Sequence, residues 1–327
     1  MQDKLMSLHV KNIGAFADIE VILGPGINIV TGPASSGKTH LLKILYATMN
    51  SPVDISTSLA AAFDVVSPSE LIHQRTISEN AVLEAYFSNS GLKRGVISPG
   101  GVTIKDYIHT FTGRQVILIP SIEVLSLVKL ENRPSSFIPC VPNSVRRLFS
   151  IIVSKIKRPS EEVAVVQKCV SETIHGSLET TAYLPKFRTE DKLLRHPSLL
   201  SSTEARLGLL YGLLNTGTCD GSSIFLLDNP DTGLDAPSII SLAAVLTGLG
   251  NLGAQIVLTT QSYILVQYLL LMQHIAPLQY ILLEKDDNGT ICASSSKDYS
   301  QIASYIDGPY TDLYDLKINK QLNSDQQ

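Results

Sequence analysis

Apolar positions along the chain fall into short runs of two kinds. Residues 5–10 and 19–23 alternate apolar and polar side chains, the period of half-buried strands. Residues 27–31, 115–119, 223–227, 255–260 and 279–283 are instead nearly continuous apolar runs, the pattern of strands covered on both faces. Helical periods lie between them, at 203–214, 237–249 and 262–272. Another, at 40–49, carries Leu41, Leu42, Ile44 and Leu45 on one face. This alternation predicts an α/β fold with a mainly parallel central sheet and helices on both faces. Residues 81–87, 93–98 and 102–104, broken at Ser90-Gly91, predict a further antiparallel set. The turn signal Asp286-Asp287-Asn288-Gly289 predicts that 290–294 returns as a hairpin edge.

The middle of the chain reads differently. Residues 51–79 are rich in proline and serine and predict loops with one or two short helices. Residues 133–142 read as a proline-rich linker. Amphipathic helices follow at 145–157 and 161–174, parted by Arg158-Pro159-Ser160, then a hairpin at 178–183 and 186–194. The expected organisation is a first half of the core over 1–134, an inserted, mostly helical lobe over 135–197, and a second half over 198–327. The polar tail beyond Lys320 should fray.

Composition narrows the class. The chain has 327 residues, 44% hydrophobic and 17% charged, which suits a large buried core and excludes a disordered chain. A net charge of −4 gives no global attraction to nucleic acid or anionic membrane. The apolar stretch 264–283 is interrupted by Gln267, Gln273, His274, Pro277 and Gln279, so a buried helix followed by a strand is expected there, not a membrane span. Cys140, Cys169, Cys219 and Cys292 have no metal or redox spacing and read as reduced, mostly buried thiols. With no apolar leader at the N-terminus, the expected setting is the cytoplasm.

The chemistry concentrates in Gly32-Pro33-Ala34-Ser35-Ser36-Gly37-Lys38-Thr39, which fits G-x-x-x-x-G-K-[ST] between an apolar strand and a helix. Backbone N–H groups at such a helix start attract phosphate. Lys38 is expected to reach the β- and γ-phosphates of ATP, and the Thr39 hydroxyl to help hold Mg²⁺. His40, next in line, is counted with the loop as cofactor-binding and reads as a packing or solvated residue, not a catalytic one. Ile224-Phe225-Leu226-Leu227-Asp228 describes a central strand delivering a carboxylate at its C-terminal end, so Asp228 is the expected second Mg²⁺ residue.

The run from Leu226 to Asp235, LLDNPDTGLD, resembles the Walker B motif and D-loop of ABC-type ATPases. Leu200-Ser201-Ser202-Thr203-Glu204 is similar to their signature motif, and Leu258-Thr259-Thr260-Gln261-Ser262 to their switch segment. The opening LHVKNIGAF at residues 8–16 and Gln115 to Glu123 resemble the soluble RecF/SMC/OLD-like AAA ATPases more than transporter subunits. The interval from Thr39 to Ser201 is long for a transporter cassette and far too short for a chromosome-maintenance coiled coil. The resemblance implies a P-loop NTPase with an N-terminal antiparallel β subdomain, ATP and Mg²⁺ as cofactors, and an ATP-sandwiched homodimer. In that dimer Ser201 and Glu204 of one copy would meet the triphosphate of the other. As a plain sequence feature, Ser201 or Ser202 is also a good helix N-cap.

Two departures bear on catalysis. Asn229 stands where the family has a catalytic Glu, and an amide cannot accept a proton from water, a loss worth about 10²–10⁴ in rate. Gln261 replaces the switch His and cannot carry charge. Thr203 replaces a signature glycine. Slow ATP hydrolysis is therefore expected, with Asp231 as a substitute base or as a solvated loop carboxylate. Basic residues at Arg146, Arg147, Lys155, Lys157, Arg158, Lys186, Arg188, Lys192 and Arg195 suit a solvated helix face, or a surface toward DNA or a partner. The leading expectation is an ATPase head coupled to a separate effector, as in DNA repair or anti-phage defence. The alternatives are a hydrolysis-deficient nucleotide-gated scaffold and, less favoured, a transporter energising subunit.

Overall fold

In the computed structural model, which describes residues 3–50, 55–73, 79–89, 91–99, 103–106, 114–127, 142–154, 158–181 and 184–324, the chain opens on β1 (Leu5–Ile13), β2 (Phe16–Ile22) and β3 (Ile27–Thr31). Then come α1 (Lys38–Met49), α2 (Ile55–Phe63), β4 (Ala81–Phe87), β5 (Gly91–Ile97), β6 (Thr103–Asp106) and β7 (Val116–Ile119). The middle segment supplies α3 (Asn143–Ile152), α4 (Glu161–Thr173), β8 (Gly176–Thr181), β9 (Leu184–Thr189) and β10 (Leu194–Arg195). The last part runs α5 (Ser202–Asn215), β11 (Ile224–Asp228), α6 (Ala236–Asn251), β12 (Gln255–Thr259), α7 (Tyr263–Leu271), β13 (Leu278–Lys285), β14 (Ile291–Ser296), α8 (Ser300–Ile306) and α9 (Gly308–Ser324).

The central sheet has the order β14-β13-β3-β12-β11-β7. Its pairs are parallel except for the β13–β14 hairpin at the edge. Its residues divide between two cores with the strand period of two. Ile29, Phe225, Leu227, Ile256, Leu258 and Tyr280 face one, against α5, α6 and α7. Val30, Ile224, Leu226, Val257 and Ile281 face the other, against α1, α2 and the N-terminal strands. The antiparallel sheet, ordered β2-β1-β4-β5-β6, covers this second face. Two buried amides join the layers. Gln255 Nε2 donates to Leu5 O and Gly24 O at 2.8 and 2.9 Å, while its Oε1 accepts from Leu5 N at 3.1 Å. Asn28 donates to Ile256 O at 3.0 Å and accepts from Gly24 N at 2.6 Å.

Buried residues of the middle segment, including Val145, Phe149, Val163, Val170 and Phe187, belong to the same core as Phe225 and Leu258. Its second strand stops at Thr189, where a turn with Lys192 at φ 65° intervenes before β10. α3 ends at Ile152; of the rest of its expected span, 155–157 lies outside the described residues, as does 133–141 of the expected linker. The pattern left 300–320 unassigned, yet α8 and α9 occupy it, and α9 continues to Ser324 where fraying was expected. Tyr310 on α9 stacks on Tyr263 of α7 with ring centroids 4.4 Å apart.

The cysteines also differ from expectation: Cys219 is buried, Cys169 half-buried and Cys292 exposed, all free. Burial pushes the Cys219 thiol up to about 11. Alkylation of the folded protein at neutral pH, followed by mass spectrometry, should label Cys292 and leave Cys219 unmodified until the chain is unfolded, because only the thiolate reacts.

Candidate functional site

The phosphate-loop sequence forms a tight loop from β3 into α1. Its two glycines occupy positions that no other residue fits. Gly32 has φ 139°, and a Cβ there would lie 2.0 Å from the Leu283 carbonyl oxygen. Gly37 has φ 86° and precedes α1. A Cβ there would lie 2.7 Å from the ring of Phe16, at the start of β2. The N-terminal sheet thus presses on the loop from one side and β13 from the other. Lys38 Nζ donates to Gly32 O at 2.8 Å and to Pro33 O at 2.6 Å, which folds the ammonium over the loop. Burial lowers its pKa, and the charge of Asp228 opposes that shift.

Asp228 ends β11 and pairs in register with Thr259 of β12. Its carboxylate, 4% exposed, accepts from Thr39 Oγ1 at 3.0 Å and from Thr259 Oγ1 at 2.8 Å. The Thr259 hydroxyl in turn accepts from the Asn229 backbone N–H at 2.9 Å. Asn229 has φ 45°, a conformation Asn tolerates better than most residues. Thr260 Oγ1 donates to Asp231 Oδ1 at 2.8 Å. Burial raises the Asp231 pKa, while Thr260, the residue's own N–H and the Arg206 guanidinium pull it down. Gln261 Nε2 donates to Gly32 O at 2.6 Å, so the segment after β12 is tied to the phosphate loop.

Ala15 and residues 35–40 line the cleft at the loop. The His40 ring meets Phe63 edge-on, centroids 5.3 Å apart, and burial lowers its pKa, as expected of a packed imidazole. An oxygen set of one buried carboxylate and one hydroxyl beside a phosphate cradle suits Mg²⁺, which takes one or two protein oxygens plus phosphate and water. Thr39 and Asp228 are the residues that would hold it. Among the described residues no cluster of three or more His, Cys, Asp or Glu offers another metal site.

Lys38, Thr39, Asp228, Asn229, Asp231 and Gln261 are therefore brought together at the C-terminal ends of β3, β11 and β12. Ser201 and Glu204 are not part of this cleft. They sit at the start of α5, on a second groove shared with Asp235 and Ser238. Ser201 is the N-cap: its Oγ accepts from Glu204 N at 3.2 Å, and Glu204 Oε2 accepts from Ser201 N at 2.8 Å. Ser202 points the other way and donates to Glu123 Oε1 at 2.6 Å. Arg206, one turn on, donates to Ser121 O.

Sequence reasoning gave no role of their own to three residues at this site: Thr259, Thr260 and Arg206. The two threonines had a signal, since hydroxyls end the apolar run before Gln261 as a carboxylate ends the run before Asn229. Only the pairing of β11 with β12 makes them neighbours.

No protein-family model matches the sequence, and no curated protein matches it. Solved structures of SMC heads do match the fold. A head domain with a coiled coil and joint derived from Pyrococcus yayanosii aligns with a TM-score of 0.61 at 9% identity, over 94% of this chain and 100% of that one. A head with an extended coiled coil bound to the C-terminal domain of ScpA, derived from Pyrococcus furiosus, gives 0.59 at 13% identity, over 96% and 100%. An SMC head bound to the C-winged helix domain of ScpA gives 0.59 at 14% identity, over 91% and 99%. With its phosphate loop between β3 and α1, its β11 carboxylate and its covering antiparallel sheet, the chain has the P-loop fold of these SMC head domains.

Proposed function

We propose that this protein is an ABC-type ATPase that binds Mg-ATP, dimerises around it and reports its occupancy to a protein partner. The observation that carries this reading is the chain Thr39–Asp228–Thr259 at the mouth of the phosphate loop. It sets a hydroxyl and a carboxylate where a phosphate-bound cation would need them. The loop N–H groups and Lys38 would hold the β- and γ-phosphates. Bound Mg²⁺ would neutralise charge on the phosphate oxygens. The partner is proposed by analogy with the neighbouring heads, two of which hold a piece of ScpA. No helix among the described residues is long and apolar enough to cross a membrane.

Turnover is expected to be slow. Asn229 cannot act as a base, and Gln261 spends its amide on Gly32 O. The base in this reading is Asp231, a half-buried carboxyl oriented by Thr260. The second reading, a nucleotide-gated scaffold with no useful turnover, is favoured by Asn229 itself. At φ 45° an Asn is well suited and a Glu is strained by roughly 1 kcal/mol.

Calorimetric titration with Mg-ATP and light scattering with a non-hydrolysable analogue test binding and dimerisation. Single-turnover hydrolysis separates the two readings. Asn229→Glu should raise the rate by about 10²-fold or more if the other parts are in place. Asp231→Asn should lower the wild-type rate by a similar factor. If wild type shows no turnover and only the Glu variant gains it, the scaffold reading stands.

A further inference from the structure

The cleft at the phosphate loop is short of positive charge. Among the described residues lining it, Lys38 is the one lysine or arginine. Asn229 and Gln261 bring no charge. A triphosphate reaching its transition state needs more cationic help than one lysine and one Mg²⁺ give, and an arginine supplied in cis or trans is worth about 10³–10⁵ in rate in other P-loop enzymes.

The second groove holds such a group. Arg195, in β10, is half-exposed and places Nη1 3.3 Å from Glu204 Oε1. The other oxygen of that carboxylate, Oε2, accepts from the Ser201 hydroxyl at 2.9 Å. Arg195, Glu204 and Ser201 thus form one connected unit at the start of α5. The position of Arg195 is set from behind: β10 pairs with β9, and Phe187 of β9 is fully buried in the core. The remaining carboxylates of the groove are mostly engaged. Asp235 accepts from Ser238 N at 3.0 Å as the cap of α6, and Glu190 accepts from His175, while Asp191 stands beside them. A helix start carrying Glu204 would repel an incoming phosphate unless that charge were offset. Arg195 offsets it and still has donors left, because a guanidinium has five N–H groups and the contact to Glu204 uses one.

We infer that Arg195 is a catalytic residue acting in trans, contacting the γ-phosphate bound at the phosphate loop of a second copy of this chain, beside the hydroxyl of Ser201. This rests on the ATP-sandwiched dimer proposed above. In the hydrolysis, water oxygen forms the new bond to phosphorus. The bridging oxygen leaves with the electron pair of the broken bond, and the water proton goes to the base. Arg195 exchanges no proton and serves only to stabilise the charge that develops on the phosphoryl oxygens.

Trans complementation tests this. Arg195→Ala should lower kcat by about 10²-fold or more, and Arg195→Lys should recover part of the loss. Lys38→Ala alone should be inactive. When Arg195→Ala and Lys38→Ala proteins are mixed, each mixed dimer has one complete site, so activity should return to about a quarter of wild type on random pairing. If the mixture stays at the level of Arg195→Ala alone, Arg195 does not act in trans and the inference falls. Ser201→Arg mixed with Lys38→Ala is the control for the dimer itself. Recovery there without recovery for Arg195 removes only the role of Arg195. Recovery in neither mixture removes the sandwiched dimer as well. Circular dichroism melts of each variant check that the loss is not one of folding.

Discussion

Gly32→Ala should destabilise the fold by about 3 kcal/mol or more and abolish nucleotide binding together with it. The added methyl would sit 2.0 Å from the Leu283 carbonyl oxygen. That oxygen is main chain in β13, and β13 is hydrogen-bonded to β3 through the Leu282–Thr31 pair, so it cannot retreat without opening the central sheet. The backbone angle adds to the cost, because φ 139° is a conformation that side chains rarely adopt. Gly32 O also receives both Lys38 and Gln261, and any displacement moves the lysine and the segment after β12 together. Urea unfolding followed by a fluorescent nucleotide titration measures both effects. Gly308→Ala is the matched control: a Cβ there meets nothing within 4 Å, and a change within about 0.5 kcal/mol is expected.

Lys38→Ala should separate binding from stability. Two short hydrogen bonds from the ammonium are lost, yet Gly32 O keeps its bond from Gln261 and the loop stays pinned by Leu283 and Phe16. Folding stability should therefore change by no more than about 1 kcal/mol. The sign of the pH effect agrees. Burial holds Lys38 below its ordinary pKa, so the folded chain binds fewer protons than the unfolded one as pH approaches the lysine range. That contribution to stability rises with pH there and does not favour the fold at neutrality. Affinity for Mg-ATP is another matter. Charge-assisted bonds to phosphate are worth about 1.5–3 kcal/mol each, so a loss of about 10²-fold or more is expected. Calorimetry at neutral pH checks the affinity and a thermal melt checks the fold. Unchanged affinity would remove the proposed nucleotide site.

Some of this molecule is written in consecutive residues. The phosphate loop is legible because its requirements are local: two glycines for backbone angles, a lysine and a threonine at the first turn of a helix. Asp228 is legible for a related reason, as the polar end of a strand buried along its whole length. Alternating positions at 5–10 and 19–23 likewise foretold the covering antiparallel layer. By contrast, α9 carries no comparable signal. Leu313, Tyr314, Leu316 and Ile318 stay exposed on α9, so its apolar residues do not mark a buried face. Ser201 was ambiguous in a physical sense, since the same short hydroxyl serves a helix cap and an anion, and in the fold it is a cap that leaves open what else it meets.

Local chemistry and hydrophobic period, then, were enough for the class of fold, the glycine-lysine loop and the buried carboxylate at the end of β11, because each depends on residues only a few positions apart. Which strand lies beside which was not contained in any such window. The placing of β12 between β3 and β11 brings Thr259 onto Asp228, Thr260 onto Asp231 and Gln261 onto Gly32. The folding of β10 against the start of α5 brings Arg195 to Ser201 and Glu204. These contacts join residues up to 229 positions apart. They arise only when burial of both sheet faces selects one strand order out of the many that the same apolar runs would allow.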